Sequence, residues 1–452
     1  MTRTLRLLTL LLFLLALAPL GPAAATSDDD VAPGRVIVRM RPGRNPRGAQ
    51  ATYGARSVEE PSRLGAQVWR VEPGREREIA ARLAASPDVE YAEPDRLLRL
   101  YGVPNDPFYL YQWNMPKIGA PQAWDVTTGA ASVVVAVVDS GFDVGHPDAP
   151  VNLRTGCDYV RWRQASFDGA CPTVQDDPNG HGTHVAGIIA ARQNDALLVS
   201  GVAPGVSLLA IRTANENGAS YLSDVASAVR EATDSGARVI NLSLGGPAST
   251  TSLQSAIDYA LEHGVVVVAA MGNEYERGNP TSYPAAYAGV VAVGAATYDD
   301  QHASYSSTGE HISLVAPGGN GDATGEPFNW ITSLFPRGKG DYALMVGTSQ
   351  AAPHVAGTAG LMLSVRPSLT GNQVAGLLRT TARPLGGSVP NPTFGYGYLN
   401  ADAAVRAAQA GALAPIAVGT PTPTPAPIPV PGVPIGWQRL QVPLAPRSLS
   451  GV

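Results

Sequence analysis

The 452-residue sequence predicts an α/β fold, a three-layer parallel-sheet domain preceded by a small α+β domain. Two observations predict the sheet: short unbroken apolar runs, and helix-period segments that alternate with them. A third, a change of pattern near residue 100, sets the smaller unit apart.

From the N-terminus, Arg3 and Arg6 precede an apolar run from Leu7 to Leu17, interrupted only by Thr9. Ala23-Ala24-Ala25 then offers the small residues a signal peptidase needs, so residues 1–25 read as a cleaved secretory signal. The run is too short for a membrane anchor, which needs ~20 apolar residues. A secreted, extracellular protein without a membrane span is expected. Residues 26–100 form the small domain. Arg35-Val36-Ile37-Val38-Arg39-Met40 and Gln67-Val68-Trp69-Arg70-Val71 alternate as strands do, Glu76–Ala85 has a helical pattern, and Val89–Ala92 is a further strand.

In residues 101–411, Val133 to Val138 is apolar throughout, as a strand buried on both faces must be. Similar runs are 206–211, 238–242, 265–270 and 290–293, with helical patterns over 182–191, 222–233 and 251–262 between them. Ligands of such sheets bind at the carboxyl ends of the strands. Residues 412–452 are a tail, opened by Thr420-Pro421-Thr422-Pro423 as a polyproline spacer unable to join a core. Net charge is −5, and no basic run stands out beyond the N-terminus, so a nucleic-acid footprint is missing. The two cysteines, Cys157 and Cys171, lie in one polar stretch. In an exported protein they are expected to bridge, although two reduced thiols would fit the spacing as well.

Asp139 ends the first buried run as Val138-Asp139-Ser140-Gly141. A paired-aspartate protease would need a second such loop, and Asp234-Ser235-Gly236 is one in letters. It follows a helical pattern, however, and reads as a helix end with Gly236 as the C-cap residue. His181 opens a helix between Gly180 and Gly182, with His184 one turn on. The zinc pattern His-Glu-x-x-His is absent, so His184 reads as a packed histidine. Ser349, in Gly347-Thr348-Ser349-Gln350, starts a long apolar helix. It is either a nucleophile over the positive helix end or an ordinary N-cap. Asn273, after the run 265–270, can aim a neutral amide over the same sheet edge, as stabilising an oxyanion requires.

Together these four segments resemble the subtilisin (subtilase) family from about Pro104 to Ala404 in order and in flanking residues. The resemblance implies a subtilisin-like serine endopeptidase with Asp139, His181 and Ser349 as triad and Asn273 in the oxyanion hole. It implies that Ser243, Leu244 and Gly245 line the substrate cleft, facing Ala270, Met271 and Gly272 across the first pocket. That wall carries no buried acid, so cleavage after large apolar or aromatic residues is expected. Gln350 stands where the family usually has Met.

The start, Tyr101 to Pro107, and Ala120 to Trp124 look most like the thermitase branch, whose members bind Ca²⁺. The matching positions are Asp106, Asp148 and Asp195, with carbonyls from Arg192, Leu197 and Val199, an oxygen-rich set. Three solvated aspartates are the plainer alternative, and Leu198 replaces a glycine common in that loop. Residues 26–100 resemble the inhibitor-type propeptide, whose tail Arg96 to Leu100 would lie in the cleft after self-cleavage. The partners implied are protein and peptide substrates and the chain's own propeptide, with a monomeric enzyme. A catalytically silent binding module or a narrow processing protease are the rival readings.

Overall fold

Strands buried on both faces need helices on both sides, and the chain supplies them in alternation. The computed structural model describes residues 31–57, 65–96, 103–321 and 329–411. These fall into two compact units divided at Leu100. The signal segment, the propeptide tail from Leu97 to Leu100 and the proline-rich tail lie outside the described residues.

The first unit is an antiparallel sheet with two helices. In chain order it holds β1 (Val31–Met40), α1 (Pro46–Thr52), β2 (Arg56–Ser57), β3 (Gln67–Arg70), α2 (Glu76–Ala84) and β4 (Val89–Arg96), in sheet order β2-β3-β1-β4. Alternation works as expected: Val36 and Val38 of β1 are buried with Trp69, while Ile79 and Leu83 of α2 cover them. The sequence reading missed α1 and β2. No residue of α1 is buried, so it has no apolar stripe to announce it.

The second unit opens with two short helices, α3 (Asn114–Lys117) and α4 (Ala120–Trp124), followed by β5 (Val134–Asp139), β6 (Asn152–Asp158) and α5 (Tyr159–Gln164). Next come α6 (His181–Ala190), β7 (Ser207–Arg212), α7 (Leu222–Asp234), β8 (Ala237–Leu242), α8 (Thr251–Glu262), β9 (Val266–Ala270) and β10 (Val291–Ala296). It closes with β11 (Leu314–Pro317), β12 (Ile331–Leu334), β13 (Tyr342–Met345), α9 (Thr348–Val365), α10 (Gly371–Thr380) and α11 (Ala401–Ala410). The large sheet runs β11-β10-β9-β8-β5-β7-β6, parallel throughout. β12 and β13 pair as a separate antiparallel hairpin.

Helices α6 and α9 pack together, α9 lying across β8 to β11, while α7 and α8 pack together on the sheet as a second layer. Helix α9 is buried from Thr348 to Leu363, which explains its lack of polar periodicity. The fold therefore matches the three-layer expectation. Asp234 ends α7 and Gly236 follows at φ +83°, a helix terminus rather than a catalytic loop. Its carboxylate accepts a hydrogen bond from Tyr259 at 2.7 Å. Cys157 and Cys171 are bonded. The bridge ties β6 to the return limb of the loop, where Cys157 and Thr173 pair antiparallel.

Candidate active site

Asp139 is the last residue of β5 and is 3 % exposed. Its Oδ1 accepts the Ser140 N–H at 2.7 Å and faces His181 Nδ1 at 2.8 Å. Burial opposes charge on His181 as the largest single influence, but Asp139's charge and hydrogen bond, with the charge of Asp177, outweigh it and raise the imidazole pKa. His184, one turn on, is fully buried and bonds through Nε2 to the carbonyls of Ile331 (3.1 Å) and Ala343 (3.2 Å). It is a packed histidine, as the sequence suggests. Burial, with the neighbouring His181, pushes its pKa down to about 3.

Ser349 sits in the first turn of α9, after Gly347 at φ +149°, a conformation open to glycine. Pro353 has no N–H to give the Ser349 carbonyl four residues earlier. The Ser243 hydroxyl takes that place, donating to Ser349 O at 2.8 Å. In return the Ser349 hydroxyl donates to Ser243 O at 3.0 Å. The nucleophile candidate is thus held by a reciprocal pair of bonds to the segment after β8.

Asn273 follows β9. Its Oδ1 accepts both the Thr348 N–H (3.0 Å) and the Thr348 hydroxyl (2.9 Å). The oxygen being committed, Nδ2 is left as the free donor of the amide. The space above Gly347 measures the result: a methyl carbon there would lie 2.9 Å from Gln350 Oε1, 3.3 Å from Asn273 Nδ2 and 3.6 Å from Ser349 N. Two N–H donors, as a developing oxyanion needs, therefore border one notch beside the serine, together with the Gln350 side-chain oxygen, an acceptor.

The residues expected to line the cleft fall into two groups. Ser243, Leu244 and Gly245 continue β8, and Gly246 then pairs antiparallel with Tyr283 through both backbone groups. That segment is therefore partly internal. Ala270 and Met271 are buried, and Gly272 lies against Glu274, whose Oε2 would meet a carbon on Gly272 at 2.8 Å. The expectation was of a wall without a buried acid, and Glu274 is only half-buried. Its Oε2 accepts the Asn273 N–H at 2.7 Å. Sequence reasoning missed Thr348 and Asp177. Asp177 carried a signal, since Asp-Pro-Asn-Gly before His181 is a turn in which the aspartate bonds the backbone ahead.

Asp106, Asp148 and Asp195 come together away from the triad. Asp106 accepts the N–H groups of Asn194 and Asp195, and Asp148 accepts that of Val199 at 3.1 Å. Burial, with the charges of Asp195 and Asp106, pushes the Asp148 pKa up to about 8. Asp148 Oδ1 and Asp195 Oδ2 are buried without a hydrogen-bond partner. Leu197 is exposed, and Arg192 donates to Ala149 O at 2.7 Å. Leu198 needs no glycine: the left-handed positions of the loop are Asn194 (φ 63°) and Ala196 (φ 61°). Among the described residues, no three His, Cys, Asp or Glu side chains are gathered closely enough to hold a metal by themselves.

A buried aspartate on histidine, a serine at a helix start and a pair of N–H donors at the carboxyl edge of a parallel sheet fit the subtilase class of serine proteases. The chain belongs to that family, whose profile (Subtilase family) matches residues 130–397. The profile of the fervidolysin N-terminal prodomain matches residues 18–95. The chain is 38 % identical over 354 residues to the thermophilic serine proteinase of Bacillus sp. (strain AK1), covering 78 % of this chain and 81 % of that one. To thermitase of Thermoactinomyces vulgaris it is 38 % identical over 287 residues, 63 % of this chain and 93 % of thermitase. A solved protease structure from Pseudoalteromonas arctica PAMC 21717 aligns with a TM-score of 0.61 at 32 % identity, covering 68 % of this chain and 100 % of that one.

Proposed function

We propose that the protein is an exported endopeptidase, made as a zymogen, that hydrolyses peptide bonds through an acyl-enzyme. Ser349 Oγ leaves Ser243 O, attacks the scissile carbonyl and passes its proton to His181. His181 returns it to the leaving amine, and water repeats the cycle to release the acid and restore the hydroxyl. Asp139 holds the imidazole and its charge stabilises the imidazolium. Asn273 Nδ2 and Ser349 N–H take the oxyanion. The observation that carries this reading is the convergence of the Asp139–His181 contact and the two N–H donors on one sheet edge.

The prodomain match supports a chain that removes residues 26–100 itself, and the apolar N-terminal run together with the disulfide supports export. No described helix is long and apolar enough to cross a membrane. Ala270 and Met271 favour a large apolar or aromatic residue before the scissile bond. Expression of wild type beside Ser349→Ala tests the whole: wild type shortens by the propeptide and digests casein, and the variant stays long and inert. If both are folded and neither digests casein, the reading is wrong.

The carboxylates of Asp106, Asp148 and Asp195 fit a calcium ion, because two of their oxygens are buried without partners and a hard cation favours such donors. Backbone carbonyls of Arg192, Leu197 and Val199 would complete its shell. The ion would supply charge neutralisation that ties the N-terminal segment to the loop 192–199. A chelator should lower the melting temperature, and an unchanged temperature refutes the assignment.

A further inference from the structure

The turn that presents His181 is gathered on one carboxylate that does not touch the imidazole contact. Asp177 is 3 % exposed. Its Oδ1 accepts the N–H of Asn179 at 3.2 Å and of Gly180 at 2.8 Å. Its Oδ2 accepts the N–H and the hydroxyl of Thr183 at 2.8 and 2.9 Å. Asn179 in turn accepts the backbone N–H of His181 at 3.1 Å. The residues on both sides of His181 therefore depend on Asp177, and a carboxylate is favoured at these first N–H groups of α6.

Its charge is directed at the turn as well. Around His181 the charged groups are Asp139 from β5, Asp177, and His184 one turn along α6. The Lys339 ammonium bonds the Pro178 carbonyl. Farther out the charges are paired: Arg337 with Asp143, and Arg212 and Arg161 with Asp158 and Asp176. Among the described residues Asp177 itself makes no ion pair. The Lys339 ammonium, held one residue along the turn, offsets part of its field.

We propose that Asp177 is a positioning residue for the reaction, a second carboxylate that fixes the His181 turn and stabilises the imidazolium formed in each proton transfer. The proposal rests on His181 being the general base. It separates two effects that a mere helix cap would not: rate through geometry and proton affinity through charge.

The test measures kcat/KM against pH on a short chromogenic peptide for wild type, Asp177→Asn, Asp177→Glu and His181→Ala. For Asp177→Asn, kcat falls about 10- to 100-fold, the range for losing charge-assisted hydrogen bonds, with KM little changed. Its acid limb moves to lower pH by roughly half a unit or more, as loss of a nearby negative charge requires. Asp177→Glu keeps the charge but not the bond geometry, so its rate falls while its acid limb stays with wild type. An acid limb in Asp177→Asn that coincides with wild type overturns the proposal. Should that variant not mature, NMR titration of the His181 ring in full-length Ser349→Ala, with and without Asp177→Asn, decides: a lowered ring pKa supports it and an unmoved one overturns it. Undiminished activity in His181→Ala would instead remove the base on which the proposal stands.

Discussion

His184→Gln should make the protein less sensitive to acid, by an amount the structure sets. The His184 Nε2 faces two carbonyl oxygens, so the hydrogen sits there, and Nδ1 is buried with no partner. Charging the ring would put a proton on Nδ1 where nothing accepts it. The folded pKa is accordingly pushed from 6.5 down to about 3. Because the unfolded chain binds the proton first, the sign is fixed: stability is whole above pH 6.5 and is lost as pH falls from 6.5 toward 3. At pH 5 the unfolded ring is about 1.5 units below its pKa and the folded ring is still neutral, which costs about 2 kcal/mol at ~1.36 kcal/mol per unit. Glutamine can still donate to the two carbonyls but does not titrate. His354, pushed by burial to about 4, acts in the same sense, and Asp148, raised to about 8, in the opposite one. Both are present in the two proteins and cancel in their difference. The assay is urea denaturation of full-length Ser349→Ala, with and without His184→Gln, at pH 7 and pH 5. The loss on acidification should be about 2 kcal/mol smaller in the glutamine protein. Losses that agree to within ~0.5 kcal/mol would refute an unprotonated, partnerless Nδ1.

Three further perturbations follow from the site. Thr348→Val removes the hydroxyl bond that holds Asn273 Oδ1 and leaves the Gly272 N–H, now bonded to that hydroxyl at 3.1 Å, without a partner. kcat should fall by roughly tenfold, the worth of ~1 to 1.5 kcal/mol, with KM nearly constant in steady-state kinetics. Gln350 puts no sulfur next to the nucleophile, so wild type should keep most of its casein hydrolysis after peroxide treatment while Gln350→Met loses it. Replacing Cys157 and Cys171 by serine opens a loop of 14-residue separation and should destabilise Ser349→Ala by ~3 kcal/mol in urea, with an unchanged midpoint counting against it.

What could be read from the sequence follows from which interactions are local. β5, β7 and β9 are buried at every position, so their apolar runs stand out in one dimension. β6 mixes half-exposed residues at the sheet edge, and the β12–β13 hairpin has one strand half-exposed, so neither carries a clean period. The candidate triad was legible because each member ends or starts a regular element beside glycines. The supports were not, since they depend on residues far apart in the chain. Pro353 is visible in the sequence, but only the fold shows that the hydroxyl of Ser243 takes the bond proline cannot make. Likewise the Thr348 hydroxyl meets Asn273 only once α9 lies across β9. The direction of Glu274 depends on a bond back to the Asn273 N–H beside Gly272, so it too belongs to the folded chain. Asp177 differs from these: its four bonds span two to six residues, the reach of a turn. A support that local can be found before folding is known, whereas the orientation of Asn273 and Ser349 is a property of the packed sheet edge alone.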